Sequence, residues 1–167
     1  MKKIIIIIIF AISFNSYSQN RVGLNIFQDI RLATIGDHRG NRVPTMDAIF
    51  GIIVEGSQNG IGYHTYALRY EQANLYYTLK RYSIGTGYSV NKLVERLNIS
   101  IMIDYGLLDR YRNGSIDNYS NWSTIGEVSY SLNSNISLSL ASRLMQRSDL
   151  KVQVIRYSSF IGISIYK

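Results

Sequence analysis

A chain of 167 residues with no cysteine, one proline and a formal charge of +7 has room for one domain. It excludes a disulfide framework, thiolate metal sites and a lipid anchor on cysteine. The basic residues are scattered rather than gathered into an arginine-rich run, which argues against nucleic acid as a partner despite the charge.

The first eighteen residues read as an export signal. Lys2 and Lys3 supply a positive start, and Ile4 to Phe14 form an apolar run interrupted only by Ser13. Ser16 and Ser18 place small residues where a signal peptidase needs them, so cleavage is expected before Gln19. The apolar run is about eleven residues, too short for a helix that must cross a core needing roughly 20. Residues 19–167 then form a single domain with a charge of about +5 once the two signal lysines are removed.

Eight segments of period two follow, near 21–33, 46–55, 61–71, 75–89, 97–108, 121–132, 135–147 and 153–166. A period of two means strands whose opposite faces meet different environments. In the first, Val22, Leu24, Ile26, Ile30 and Leu32 oppose Arg21, Asn25, Asp29 and Arg31. In the third, His64, Tyr66 and Leu68 share a face, and in the fourth Gly85 and Gly87 suit close packing within a strand. The fifth is the cleanest: Leu97, Ile99, Ile101, Ile103, Tyr105 and Leu107 against Asn98, Ser100, Met102, Asp104 and Gly106.

The sixth sets Trp122, Thr124, Gly126, Val128, Tyr130 and Leu132 against Ser123, Glu127, Ser129 and Ser131. After Asn133-Ser134 the seventh resumes with Ile136, Leu138, Leu140 and Leu144 against Ser137, Ser139, Ala141 and Arg143. The eighth opposes Ile155, Tyr157, Ile161, Ile163 and Ile165 to Arg156, Ser158, Gly162 and Ser164.

One strand plus connection takes roughly 19 residues, which suits membrane strands of about 9–11 residues with their loops. With both ends in the periplasm, the long polar connections 34–45 and 109–120 face outward, while Ser57–Gly60 and Asn133-Ser134 make short periplasmic turns. Glu71–Asn74 reads as a short outer loop and Asn91–Arg96 as a longer inner turn. The expectation is an all-β, eight-stranded antiparallel up-and-down transmembrane β-barrel.

On this pattern, and above all on the two alternating stretches joined by a polar turn from Ser129 to Ser139, residues 19–167 resemble the small eight-stranded outer-membrane barrels, the OmpA/OmpX-like class. The resemblance implies residence in the outer membrane of a Gram-negative-type envelope, with membrane lipid and the barrel-assembly machinery as partners. Such barrels usually end on an aromatic residue. Here Tyr166 is penultimate and Lys167 is last.

Fourteen tyrosines and one tryptophan suit aromatic girdles at the headgroup level. Tyr88 and Tyr130 fall near the expected periplasmic ends, and Tyr70, Tyr76, Tyr105 and Trp122 near the external ends, while Tyr63 and Tyr77 take the inward parity. The inward face also collects Arg21, Asp29, Arg31, Asp47, Glu55, Arg69, Arg81, Asp104, Glu127, Arg143 and Arg156. Eight strands leave an interior that side chains fill, where charges must be paired. Arg81, Asp104, Glu127 and Arg143, from successive strands near mid-height, together with Arg156, form the expected ion network, a polar plug rather than an open pore.

The outer loop 109–120 carries Arg110, Tyr111, Arg112, Asn113, Asp117 and Tyr119. Of these, Arg110, Tyr111, Arg112 and Tyr119 are the candidate contacts for an anionic or glycan surface ligand, with the tyrosines stacking on sugar.

Catalytic signals are sparse. His38 lies in Asp37-His38-Arg39 in the first outer loop, and His64 faces outward without a motif naming a serine and acid beside it. No glycine phosphate loop, zinc-spaced set or calcium loop occurs, so no metal, cofactor or enzymatic activity is expected. The reading is a non-enzymatic barrel with an envelope-structural or surface-recognition role. Two alternatives stand beside it: a lipid-modifying hydrolase using His64, and a soluble periplasmic lipocalin-like barrel whose Ile99/Ile101/Ile103 face would line a pocket.

Overall fold

The structure is a computed structural model that describes residues 21–34, 46–74, 78–112, 115–148 and 154–167. The expected signal peptide and the Asp37-His38-Arg39 segment lie outside the described residues, as do Asn113, Tyr76 and Tyr77. The elements are β1 (Arg21–Asp29), α1 (Ile30–Thr34), β2 (Asp47–Asn59), β3 (Gly62–Asn74), β4 (Thr78–Val94), β5 (Leu97–Arg112), β6 (Ser115–Ser131), β7 (Ile136–Arg147) and β8 (Val154–Tyr166). Each strand pairs antiparallel with its neighbours in sequence, and β1 pairs with β8, closing the barrel. Closure leaves no sheet edge around the ring.

One rim, here the near rim, carries Arg21, the carboxyl terminus and the tight turns after β2, β4 and β6. The far rim carries α1 and the other connections. The last strand is fastened at the near rim by backbone bonds, Tyr166 N to Asn135 O at 2.7 Å and Lys167 N to Val22 O at 2.9 Å.

The two faces of each strand are sorted as the alternation requires, with the apolar face outside. Ile99, Ile101, Ile103, Tyr105 and Leu107 are 40–61% exposed, whereas Met102 and Asp104 between them are 2% and 0% exposed. This overturns the lipocalin-like alternative, because the isoleucine face lines no internal pocket. Exposing so much apolar surface in water is unfavourable by about 25 cal/mol per Å²; a hydrocarbon surround removes that cost.

At several inward register positions one bulky side chain takes the space of two. Glycines therefore stand across from bulky partners: Gly23 from Tyr166, Gly51 from Asn25, Gly85 from Asp104, Gly87 from Met102 and Gly162 from Phe27. A Cβ at Gly23 would lie 2.6 Å from Tyr166 Cδ1, and one at Gly87 2.6 Å from Met102 Cγ. The Gly85/Gly87 pair thus marks the strand that yields space to β5. Tyr166 consequently points inward, and Lys167 is the exposed last residue.

Four segments differ from the sequence reading. β1 stops at Asp29, whose Oδ1 accepts a hydrogen bond from Leu32 N at 2.9 Å and starts a single helical turn. That turn buries Leu32 and leaves Arg31 exposed, so Arg31 is not an interior charge. β3 continues through Glu71–Asn74 rather than ending in a loop there, and Glu71 and Ala73 become interior residues.

The 109–120 region is not a loop. β5 and β6 stay paired up to Arg112 and Ser115, and β4 accompanies β5 as far as Tyr111, while pairing of β6 to β7 starts only at Ser123, so the hairpin stands above β7 with β4 along its other side. At the near rim, β4 bulges between Val90 and Val94 before its turn, which accounts for the long Asn91–Arg96 connection.

Candidate functional site

Two regions carry concentrated polar chemistry: the far half of the barrel interior and the projecting hairpin above it. The interior charges come from alternate positions on β1–β5, β7 and β8, which the pleat aims into the lumen.

Asp104 on β5 sits between two arginines, with Arg69 Nη1 at 2.7 Å and Arg81 Nη1 at 3.7 Å. Arg81 is further held by Nε donating to Asn121 Oδ1 at 2.8 Å and by the hydroxyls of Ser83 and Ser123, each at 3.1 Å. Arg143 on β7 donates both Nη atoms to the two Glu71 carboxylate oxygens on β3, each at 2.6 Å. This is the fork-to-fork geometry that makes arginine–carboxylate pairs directional. The Arg143 guanidinium also lies over the Phe160 ring, 4.9 Å from its centroid.

Arg156 bridges two acids, Asp47 at 2.8 Å and Asp29 at 3.6 Å. Arginines 69, 81, 143 and 156 thus face Asp29, Asp47, Glu71 and Asp104, a balanced set. Balance matters because a buried unpaired ion is costly by several kcal/mol. Towards the far rim the network is roofed by Ala73, Leu79 and Leu108 with Tyr119 packed on them. Beneath it lies a layer of Phe27, Ile49, Ile125, Ala141 and Phe160.

Of the network expected from sequence, the structure brings Arg81 and Asp104 together. It gives Arg143 to Glu71 and Arg156 to Asp47 and Asp29. Glu127 is buried near Ser139 and forms no salt bridge among the described residues. The partner that sequence reading missed is Glu71. Its signal was present, since Glu71 and Ala73 continue the parity of Arg69.

The hairpin divides its four candidates. Tyr119 is opposite Leu108 and packs into the apolar roof, so it is not a free stacking platform. Arg110, opposite Asp117, shares that inner face. Tyr111 is opposite Ile116 on the outer face, where Lys80 Nζ stands 5.0 Å from its ring centroid. The side chain of Arg112 lies outside the described residues. Ser148 Oγ donates to Ser120 O at 2.6 Å and ties the end of β7 to the open edge of β6.

Aromatics ring the outside at two levels. Tyr70 with Tyr82, at 5.1 Å, and Tyr105 with Trp122, at 4.8 Å, lie towards the far rim. Tyr88 and Tyr130 lie towards the near rim. Tyr63 points inward and accepts a hydrogen bond from Asn98 Nδ2 at 2.9 Å. His64 is exposed and packs edge-on against Tyr88, 5.4 Å away. Its outward neighbours along the ladder are Tyr66 and Tyr88, neither a serine nor a carboxylate. Among the described residues no group of three His, Cys, Asp or Glu is placed to hold a metal.

No protein-family model and no curated protein matches the sequence. Solved structures do match. The N-terminal β-barrel domain of Pseudomonas aeruginosa OprF aligns with a TM-score of 0.62 and 11% identity, covering 90% of this chain and 100% of that one. The Yersinia pestis outer membrane protein Ail in a phospholipid nanodisc aligns at 0.59 and 8% identity, over 89% and 100% of the two chains. Ail in complex with the heparin analogue sucrose octasulfate aligns at 0.53 and 10% identity, over 88% and 95%. At these identities the likeness is one of fold: the chain has the fold of the small eight-stranded outer-membrane barrels.

Proposed function

We propose that this chain is an exported, non-enzymatic barrel of the outer membrane, and that its β5–β6 hairpin serves surface recognition of an anionic or glycan ligand. The observation that carries the membrane reading is the outward apolar belt, bounded by aromatics at two levels, around an interior filled by paired charges. That is the reverse of a water-soluble domain. The near rim then faces the periplasm and the far rim the outside, and residues 1–18 are the signal removed on export. Insertion is the work of the barrel-assembly machinery, and the ion network is a structural plug.

Recognition is drawn from the hairpin's rise beyond β7 and its outer-face Tyr111 beside Lys80 of β4, with Arg110 on the inner face. The sulfated sugar bound by Ail, a protein of the same fold, lends the ligand class its support.

Two experiments test the reading. Fractionation with gel mobility before and after boiling should place the protein in the outer membrane with a heat-dependent shift; recovery as a soluble periplasmic protein defeats the membrane assignment. Replacing residues 109–118 by Asn-Gly should keep that heat shift and abolish binding of cells to immobilised heparin. Unchanged heparin binding by the shortened barrel defeats the recognition role.

A further inference from the structure

The near rim holds a second polar site. Arg96 occupies the second central position of the two-residue turn between Val94 and Leu97. Its φ is 62°, the only positive value among the described non-glycine residues. Glycine or asparagine is the easy choice at such a position. An arginine held there is a local strain of the kind that accumulates where a side chain has a task.

The side chain lines a cavity of about 460 Å³ together with Arg21, Ser131, Leu132, Asn133 and Ser134. Among the described residues that line it, the two arginines are the ionisable groups. It adjoins the barrel mouth, a polar cavity of about 200 Å³ that shares Arg21, Arg96 and Ser131.

The Arg21 side chain and the Arg96 backbone are held in place. Arg21 lies over the Tyr166 ring, 4.0 Å from its centroid, and Nη2 donates to Ser134 O. The Arg96 turn is pinned by Ser131 N donating to Arg96 O at 2.8 Å. Two carboxylates stand near them. Glu55 is 3.8 Å from Arg21, and Glu95 is 3.9 Å from Arg96 in a pair with both side chains largely exposed, which is worth little. Five N–H donors on each guanidinium leave capacity for a further acceptor.

We propose that the Arg21–Arg96 cavity binds the phosphate group of an anionic molecule at the near rim. Planar guanidinium forks match phosphate oxygens in pairs. That chemistry has two sources: the headgroup of an anionic phospholipid in the adjoining leaflet, or a soluble phosphate ester. The site itself does not rest on which compartment the rim faces, nor on the hairpin's role.

The test uses the full folded chain and Arg96→Gly, which removes the guanidinium and gives the turn the residue its backbone favours. Native mass spectrometry from phosphatidylcholine nanodiscs containing phosphatidylglycerol reads retained lipid. Titration of the detergent-solubilised protein with glycerol 1-phosphate, followed by arginine side-chain NMR, reads the soluble ester. Wild type should bind at least one probe, and Arg96→Gly should bind it about tenfold more weakly, as loss of one charge-assisted contact implies. The variant should unfold at the same or a higher temperature.

Retention of phosphatidylglycerol alone assigns the site to lipid headgroups, and response to the ester alone assigns it to a soluble ligand. Binding of neither probe, or equal binding by Arg96→Gly, overturns the proposal.

Discussion

The two halves of the barrel interior solve one packing problem by different chemistry. The far half is filled with long arginines locked to carboxylates across the lumen, as in the bidentate Arg143–Glu71 pair at 2.6 Å. The near half is filled mainly with small hydroxyls, Thr65, Ser89, Ser100, Ser129, Ser137, Ser139 and Ser164, in local bonds such as Thr65 to Ser89 at 2.7 Å; beside them lie Tyr63, Tyr166, Glu55 and Glu127, and the half opens into a polar mouth. A charge needs its partner at a fixed place, whereas a hydroxyl rotates to suit its neighbours. The far half should therefore be the brittle one.

The sharpest way to expose that difference is Glu71→Ala. It leaves Arg143, 1% exposed, without its carboxylate. Removing one partner of a buried pair costs about 3–5 kcal/mol, and denaturant unfolding of the folded barrel should show a loss of that size. Adding Arg143→Met should restore most of it, since the uncompensated charge is then gone too. A single Glu71→Ala loss no greater than that of a surface substitution would place the far half on the same footing as the near half.

Asp104→Asn should cost less, about 2 kcal/mol, because the amide oxygen can still accept from Arg69 and Arg81 keeps Asn121, Ser83 and Ser123 as acceptors. Gly87→Ala sharpens the comparison at the middle of the barrel. Its Cβ meets the Ile101 carbonyl oxygen and, at 2.6 Å, Met102 Cγ, and overpacking that shifts side chain and backbone costs about 1–3 kcal/mol. The smallest effect belongs to the near half. Ser137→Ala, which removes a weak 3.3 Å contact with Ser131 Oγ, should stay under about 1 kcal/mol by the same unfolding measurement. If it equals Glu71→Ala, hydroxyl packing is no more forgiving than ion pairing.

Much of the architecture was legible in the sequence because strand faces depend only on a period of two. Leu97 to Leu107 separates two environments whatever lies across the barrel, and the structure keeps that separation. Where the reading went astray, a local competitor to the strand or an extension of it was invisible at the level of pattern. The Asp29 carboxylate caps a helical turn and takes Arg31 out of the interior. The polar composition of 109–120 suggested a loop, yet backbone pairing continues through it, since a polar strand pairs its backbone as well as an apolar one. That continuation also moved Tyr119 from a presumed ligand contact into the apolar roof.

By itself, then, the sequence determined the strand count, the antiparallel order and, apart from Arg31 and Glu71 at the strand ends, which charged side chains point inward, all properties of neighbours along the chain. The tertiary structure decided which inward groups meet. Glu71 and Arg143 are 72 positions apart on strands that do not pair. Their contact follows from the closure and relative stagger of the eight strands, which set what faces what across the lumen. The same closure gathered Arg21 at the start of β1 and Arg96 in the turn between β4 and β5 onto one cavity, a juxtaposition that no local period encodes.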